Sequence, residues 1–291
     1  MRSFSGVVMS RKFILSLTLV IFASAATALY AATPSQKPIV IYSAPTLRNV
    51  SNQLAILAGE PVDIRVFGSV AAANLIKSGR IPDLFLTVDS ELKHGLSYRR
   101  EYLLGHFRLT LVCQKGIESL DTLKTAKIGL ADPNQAPIGY RALAAIYLIA
   151  REHFPELINE VQRDLNIRFQ HSGDTLLMEL SEISASGRFF LRPNLDIVGT
   201  LLESKGVDCI FAHYPFIIVR NYTQTYSIIE LPTNLNFETD PPFKIVAKLE
   251  TGDIEVRRFE ASALSFSERG DRLIEVLRLV NLASAGIKPA G

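Results

Sequence analysis

Only two cysteines occur in 291 residues, Cys113 and Cys209, each inside an apolar run. Their spacing matches no zinc or thiol-redox motif. Each reads as a small buried hydrophobe, and a single disulfide is open to them in an oxidising compartment. The five histidines stand singly, which argues against a metal cluster. An excess of one charge is also missing, since 31 Lys and Arg face 29 Asp and Glu for a net +2. No basic stripe points to nucleic acid, and no acidic tail to a solvating role. The sequence has no P-loop, Gly-x-Gly-x-x-Gly, Gly-x-Ser-x-Gly or His-Glu-x-x-His. No catalytic residue is therefore assigned, and no cofactor or carboxylate-bound metal is expected.

One segment carries a targeting signal. Arg11-Lys12 precedes the apolar run Phe13–Ala23, which has the length of a signal-peptide core. Ala26-Thr-Ala28 and Leu29-Tyr-Ala31 offer small-residue cleavage sites. Residues 1–31 are expected to be a signal peptide, and the remainder an exported protein of the periplasm or cell surface. Without the three basic residues of that segment, which has no acidic one, the +2 becomes −1. No cysteine follows the run to take a lipid anchor, and no other stretch is long and apolar enough to span a membrane.

The apolar content of 48% supports a large core and two lobes. Pro38–Tyr42, Val62–Phe67 and Pro82–Val88 read as strands, and Pro45–Ala58 and Ala71–Lys77 as helices. This βαβαβ order predicts parallel strands with right-handed crossovers. Residues 89–106 read as helical or irregular. Phe107–Gln114, Lys127–Leu130, Ile167–His171, Val207–Ala212, Ser227–Pro232, Phe243–Leu249 and Arg258–Leu264 read as further strands. Ile138–His153, Pro155–Arg163, Asp174–Ser186, Leu195–Ser204 and Glu268–Leu282 read as helices. The predicted fold is a two-lobed α/β protein, each lobe a mostly parallel sheet flanked by helices, with a hinge between them. Residues 36–107 and 216–291 would form the first lobe and 108–215 the second.

Three strand-to-helix turns share one design. They are Ile39-Val-Ile-Tyr-Ser-Ala-Pro-Thr-Leu-Arg48, Ile64-Arg-Val-Phe-Gly-Ser-Val-Ala-Ala-Ala73, and the turn after Ile128–Ala131 that enters a helix at Ile138. Each presents unpaired backbone N–H groups at the positive end of a helix, which suits an anion and no nucleophile. Ser43 and Ser69 are also ordinary helix-cap residues, Tyr140 suits a core, and His213-Tyr214 suits a surface pair. The recurrence of the turn favours three sides of one polar pocket.

Four stretches carry a family resemblance. They are Tyr42-Ser-Ala-Pro-Thr-Leu47; Gly68-Ser-Val with Gly79-Arg-Ile-Pro-Asp-Leu-Phe-Leu-Thr-Val-Asp89; Ala131-Asp-Pro-Asn-Gln-Ala-Pro-Ile-Gly-Tyr-Arg141; and Leu191-Arg-Pro with Leu201-Leu-Glu-Ser-Lys-Gly-Val-Asp-Cys-Ile-Phe211 and Glu230-Leu-Pro232. Over roughly 38–285 the chain resembles the type II periplasmic binding proteins, specifically the molybdate/tungstate-binding proteins of ABC transporters. The resemblance implies two lobes closing on a tetrahedral oxyanion. Ser43, Ala44, Ser69 and Val70 would surround it from one lobe. Ala136, Pro137, Ile138, Tyr140, His213 and Tyr214 would do so from the other. It also implies a permease partner and a monomer. The archaeal branch places carboxylates on the metal at two positions that here read Ala136 and Ala212. That departure favours four-coordinate binding through donors, or another ligand with His213 or Tyr214 in their place. Sulfate, phosphate or an organic acid are the rivals on the same fold, the last needing a cleft arginine such as Arg48 or Arg141. An enzyme on the same scaffold is the remaining rival.

Overall fold

The computed structural model describes residues 37–290, so the expected signal peptide lies outside the described residues. The chain opens with β1 (Ile39–Ser43), a 3-10 turn (Pro45–Leu47) running into α1 (Arg48–Leu57), β2 (Val62–Val66), α2 (Ser69–Lys77) and β3 (Leu84–Thr87). Next come β4 (Arg100–His106), β5 (Leu109–Cys113), β6 (Ile128–Ala131), α3 (Pro137–His153) and α4 (Pro155–Leu165). They are followed by β7 (Arg168–Ser172), β8 (Thr175–Glu179), β9 (Phe189–Arg192), α5 (Leu195–Glu203), β10 (Cys209–His213) and α6 (Tyr214–Val219). The chain ends with α7 (Tyr222–Thr225), β11 (Ser227–Glu230), β12 (Lys244–Leu249), β13 (Gly252–Glu255), β14 (Glu260–Ser265), α8 (Glu268–Leu277) and β15 (Lys288–Pro289).

The fold is two-lobed. Sheet A, with strand order β15-β4-β14-β3-β1-β2, builds one lobe. Its β2-β1-β3 part is parallel, as the βαβαβ pattern requires. Strands β14, β4 and β15 extend it antiparallel. Sheet B, ordered β11-β5-β10-β6-β9, builds the other lobe. It is parallel across β10-β6-β9 and antiparallel across β11-β5-β10. Helix α3 packs against β6, β10 and α4, and every residue from Pro137 to Ala150 is buried. Its alanines and large apolar side chains leave no solvated stripe, the pattern of a helix covered all round.

A third sheet, β13-β12-β8-β7, was not expected, although its strands β7 and β12 match the strands read at Ile167–His171 and Phe243–Leu249. The segment expected as a helix at Asp174–Ser186 supplies its strand β8. Leu, Met and Glu in Thr175-Leu-Leu-Met-Glu179 are good helix formers. Pairing with β7 and β12 overrides that preference, burying Leu176 and Met178 while their neighbours alternate outward. Likewise, the irregular stretch expected at 89–106 contains β4, whose partners β14 and β15 lie more than 150 residues further along the chain.

Register also decides the cysteines. Cys113 and Cys209 stand opposite each other on antiparallel β5 and β10 and form a disulfide. The reading of two separate buried hydrophobes gives way to a cross-strand bond. The chain passes from sheet A to sheet B at Phe107-Arg108 and returns to sheet A at β14, after β11 and the third sheet. At these two crossings the rings of Phe107 and Phe259 stack with centroids 5.0 Å apart.

Candidate functional site

A small cavity lies between the lobes, at the carboxyl ends of β1 and β10 and over the start of α3. Its walls come from Ala44, Pro45, Thr46, Gly68, Ser69 and Val88 on one side. Ala136, Pro137, Ile138, Asn194, Leu195 and His213 form the other. It encloses about 10 Å³, room for about one water molecule.

Three helices of nine residues or more begin at this cavity. They are α2 after Gly68, α3 after Ala136 and α5 after Asn194. The 3-10 turn leading into α1 and the short helix α6 start at its wall as well. Peptide dipoles at such ends make the cavity electropositive without a free cation. The start of α3, the longest of the three, is built by tight packing. A Cβ on Gly139 would meet the Ala131 carbonyl at 2.3 Å, so glycine lets the first turn of α3 sit on the end of β6.

Six of the ten residues expected around a ligand line this cavity: Ala44, Ser69, Ala136, Pro137, Ile138 and His213. The other four do not. Ser43 is fully buried, and its hydroxyl donates to the Ala44 carbonyl. Val70 follows the first residue of α2 and is packed in the core. The Tyr140 hydroxyl is bound to Asp89, and burial followed by the Asp89 charge holds its pKa well above the usual 10. Tyr214 lies beneath the Arg108 guanidinium, 4.2 Å from ring centroid to cation, and its N–H donates to the Arg108 carbonyl. Thr46, Asn194 and Leu195 are additions from the structure. Pro45 at a helix start and the Asn-Leu-Asp order after Pro193 were the available signals for them.

The donors within reach are neutral. Ser69 Oγ accepts from the Val88 N–H at 3.2 Å, which leaves its hydroxyl proton free to turn. Thr46 Oγ1 lies 2.8 Å from His213 Nδ1 across the cleft. His213 is buried, and its Nε2 has no hydrogen-bond partner among the described residues. Burial, and then the charge of Arg141, lower its pKa well below 6.5. The imidazole is therefore neutral at pH 7 and lies edge-on to both hinge rings, Phe107 and Phe259.

Neither arginine weighed as an organic-acid anchor is free for that task. Arg141 is fully buried and donates to Asp89 Oδ2 at 2.7 Å. It also donates to the Arg257 and Arg258 carbonyls at 2.8 and 3.2 Å and lies on the Phe259 ring. It thus ties α3 of one lobe to the hinge return and to Asp89 of the other. Arg48 is paired with Asp196. A larger groove of about 120 Å³ runs between α2 and the β12–β13 turn, bordered by Lys77, Glu91, His94 and Asp253. His94 faces Glu91 there and both groups have solvent access, so the groove is an ordinary charged surface.

Across the cleft the lobes touch through backbone. The Ala71 N–H donates to the Gln135 carbonyl at 3.1 Å. A Cβ at Gly68 would lie 2.2 Å from that same oxygen. Glycine at position 68 is what lets the lobes approach this closely.

No family model matches the chain. Among solved structures, the periplasmic molybdate-binding protein of Azotobacter vinelandii is similar at 13% identity, covering 87% of this chain and 100% of that one with a TM-score of 0.62. The sulfate-binding protein SubI of Mycobacterium tuberculosis is similar at 11% identity, covering 88% of each chain with a TM-score of 0.53. The L-phospholactate-bound PEB3 protein is similar at 11% identity, covering 87% and 100% with a TM-score of 0.54. At such identities the likeness is one of architecture: this chain has the two-lobed α/β fold of the type II periplasmic binding proteins.

Proposed function

We propose that the protein is an extracytoplasmic receptor that closes its lobes on a tetrahedral oxyanion, molybdate or tungstate, and delivers it to an ABC transporter permease as a monomer. The observation that carries this reading is the convergence of helix N-termini on a cavity with no free charged side chain. Such a site holds a dianion through N–H and hydroxyl donors and needs no counter-cation. An organic acid fits less well, because Arg48 and Arg141 are both engaged in ion pairs between the lobes. Thr46 Oγ1 and His213 Nδ1 are the one hydroxyl–imidazole pair on the wall. Among the described residues His213 has no third group on Nε2 to orient it as a base, so binding rather than turnover is the reading. The disulfide on β5 and β10 supports an oxidising compartment, in line with the signal peptide read at 1–31.

In this reading the elements of sheet A and those of sheet B move as two bodies about the Phe107 and Phe259 crossings. Ala136 lines the cavity and Ala212 is buried beside His213. The one buried carboxylate among the described residues, Asp89, is taken by Arg141 and Tyr140. The anion would keep four oxygens, and X-ray absorption of bound molybdate showing six would overturn that coordination.

Titration calorimetry with molybdate, tungstate, sulfate and phosphate tests the assignment. Tight 1:1 binding of the first two and silence from the others is the expected result. The likeness to a sulfate-binding protein supports one second reading, the smaller sulfate, and tight sulfate binding in the same titration would select it. Silence from all four would remove the oxyanion assignment.

A further inference from the structure

Arg48 is the first residue of α1, where a cation faces the positive end of the helix and costs rather than adds stability. What offsets that cost lies in the other lobe. The Arg48 guanidinium is bonded to Asp196, the second residue of α5. Asp196 in turn accepts from Arg220 at 2.9 Å, and Arg220 reaches Glu203 at 3.2 Å. The Tyr222 hydroxyl donates to the same Glu203 oxygen at 2.8 Å. Asp196 therefore has a standing partner in its own lobe and does not need Arg48 to be stable. Arg48 has no second carboxylate within bonding distance among the described residues.

The pair stands at the rim of the cleft. Thr46, two residues before Arg48, and Leu195, next to Asp196, line the cavity. The side chains themselves are 39% and 18% exposed. A second charged link between the lobes, Asp89 with Arg141, is buried against the chain's return to sheet A at Arg257 and Arg258. Arg48–Asp196 is the ion pair beside the cavity that separation of the lobes would break.

We propose that Arg48 and Asp196 form a latch across the mouth of the cleft that holds the lobes together even without ligand, with Arg220 as the fixed anchor of Asp196. The latch itself does not depend on the identity of the ligand. Only its effect on release rests on the oxyanion reading.

Small-angle scattering of the ligand-free protein tests it at low and high salt, with R48Q, D196N and the double variant. The wild type is expected to be compact at low salt and to expand as salt screens the partly exposed pair. Each single variant is expected to be expanded already at low salt and insensitive to salt. The double variant should expand no further than the larger single, as for one shared interaction. R65Q, which removes an ion pair inside β2, should match the wild type. Equal radii for wild type and latch variants, or full additivity in the double variant, would overturn the latch. In a second arm, molybdate release from D196N should be about two- to five-fold faster, the size of a partly exposed ion pair. Failure of molybdate to bind any of these proteins would remove the molybdate assignment and leave the scattering result to decide the latch.

Discussion

Thr46 and His213, 167 residues apart in sequence, meet with Oγ1 2.8 Å from Nδ1 across the cleft. Each lobe contributes one of them, and both line the cavity that helix N-termini surround. The contact exists only when the lobes are closed, which makes the state of His213 part of the closure equilibrium.

That linkage sets a pH dependence. The folded-state pKa of His213 is depressed below 6.5, first by burial and then by Arg141. Between the depressed value and 6.5 the unfolded chain binds more protons than the closed protein. Stability from this group is therefore full above about pH 6.5 and falls as pH drops through that window. Thermal unfolding midpoints measured from pH 7.5 to 5 should decline, and His213→Phe should flatten that decline.

Gly68 sets how closely the lobes meet. The Cβ of a Gly68→Ala variant would collide with the Gln135 carbonyl. The variant should stay open, with molybdate affinity reduced about tenfold or more, equivalent to about 1.4 kcal/mol. Calorimetry gives the affinity, and an unchanged far-UV spectrum would show that each lobe still folds.

The Asp89–Arg141 pair is a different case, since both side chains are fully or nearly fully buried. Removing one partner leaves the other charge buried alone. Asp89→Asn should cost about 3–5 kcal/mol of stability in denaturant titration. Tyr140→Phe removes one neighbouring donor and should cost about 1–3 kcal/mol.

The disulfide closes a segment of 96 residues. On a chain-entropy view its loss costs about 4–5 kcal/mol. A C113A/C209A variant should show that loss as a lower unfolding midpoint. Both cysteines are fully buried, so reductant should leave the native protein oxidised until denaturant opens lobe two. Thiol labelling with and without denaturant reads this directly.

The sequence by itself determined the parts whose physics is local. The apolar periods of residues 38–88 specify the parallel β1-α1-β2-α2-β3 unit, and Pro and Gly mark the turns. The helix starts expected at Pro45, Ala71 and Ile138 lie within two residues of the observed starts at Pro45, Ser69 and Pro137, because N-terminal signals sit within a few residues of the turn they make. Ala44, Ser69, Ala136, Pro137, Ile138 and His213 lie on the cavity wall; the turns pointed to Ser69 and the start of α3, while Ala44, Ala136 and His213 came with the family resemblance. The sequence misled at Thr175–Glu179, where helix-forming side chains are held as a strand by β7 and β12, the latter about 70 residues away. Tyr140 and Arg141 looked like cleft residues because they follow the turn that lines the cavity. A helix turns about 100° per residue, so the positions after the first turn of α3 face Asp89 and the hinge instead. Pairing of Cys113 with Cys209, of Thr46 with His213 and of Arg48 with Asp196 joins residues 96 to 167 apart. Only the tertiary structure decided these contacts, because no local pattern encodes which distant strand becomes a neighbour, or how closely two lobes meet.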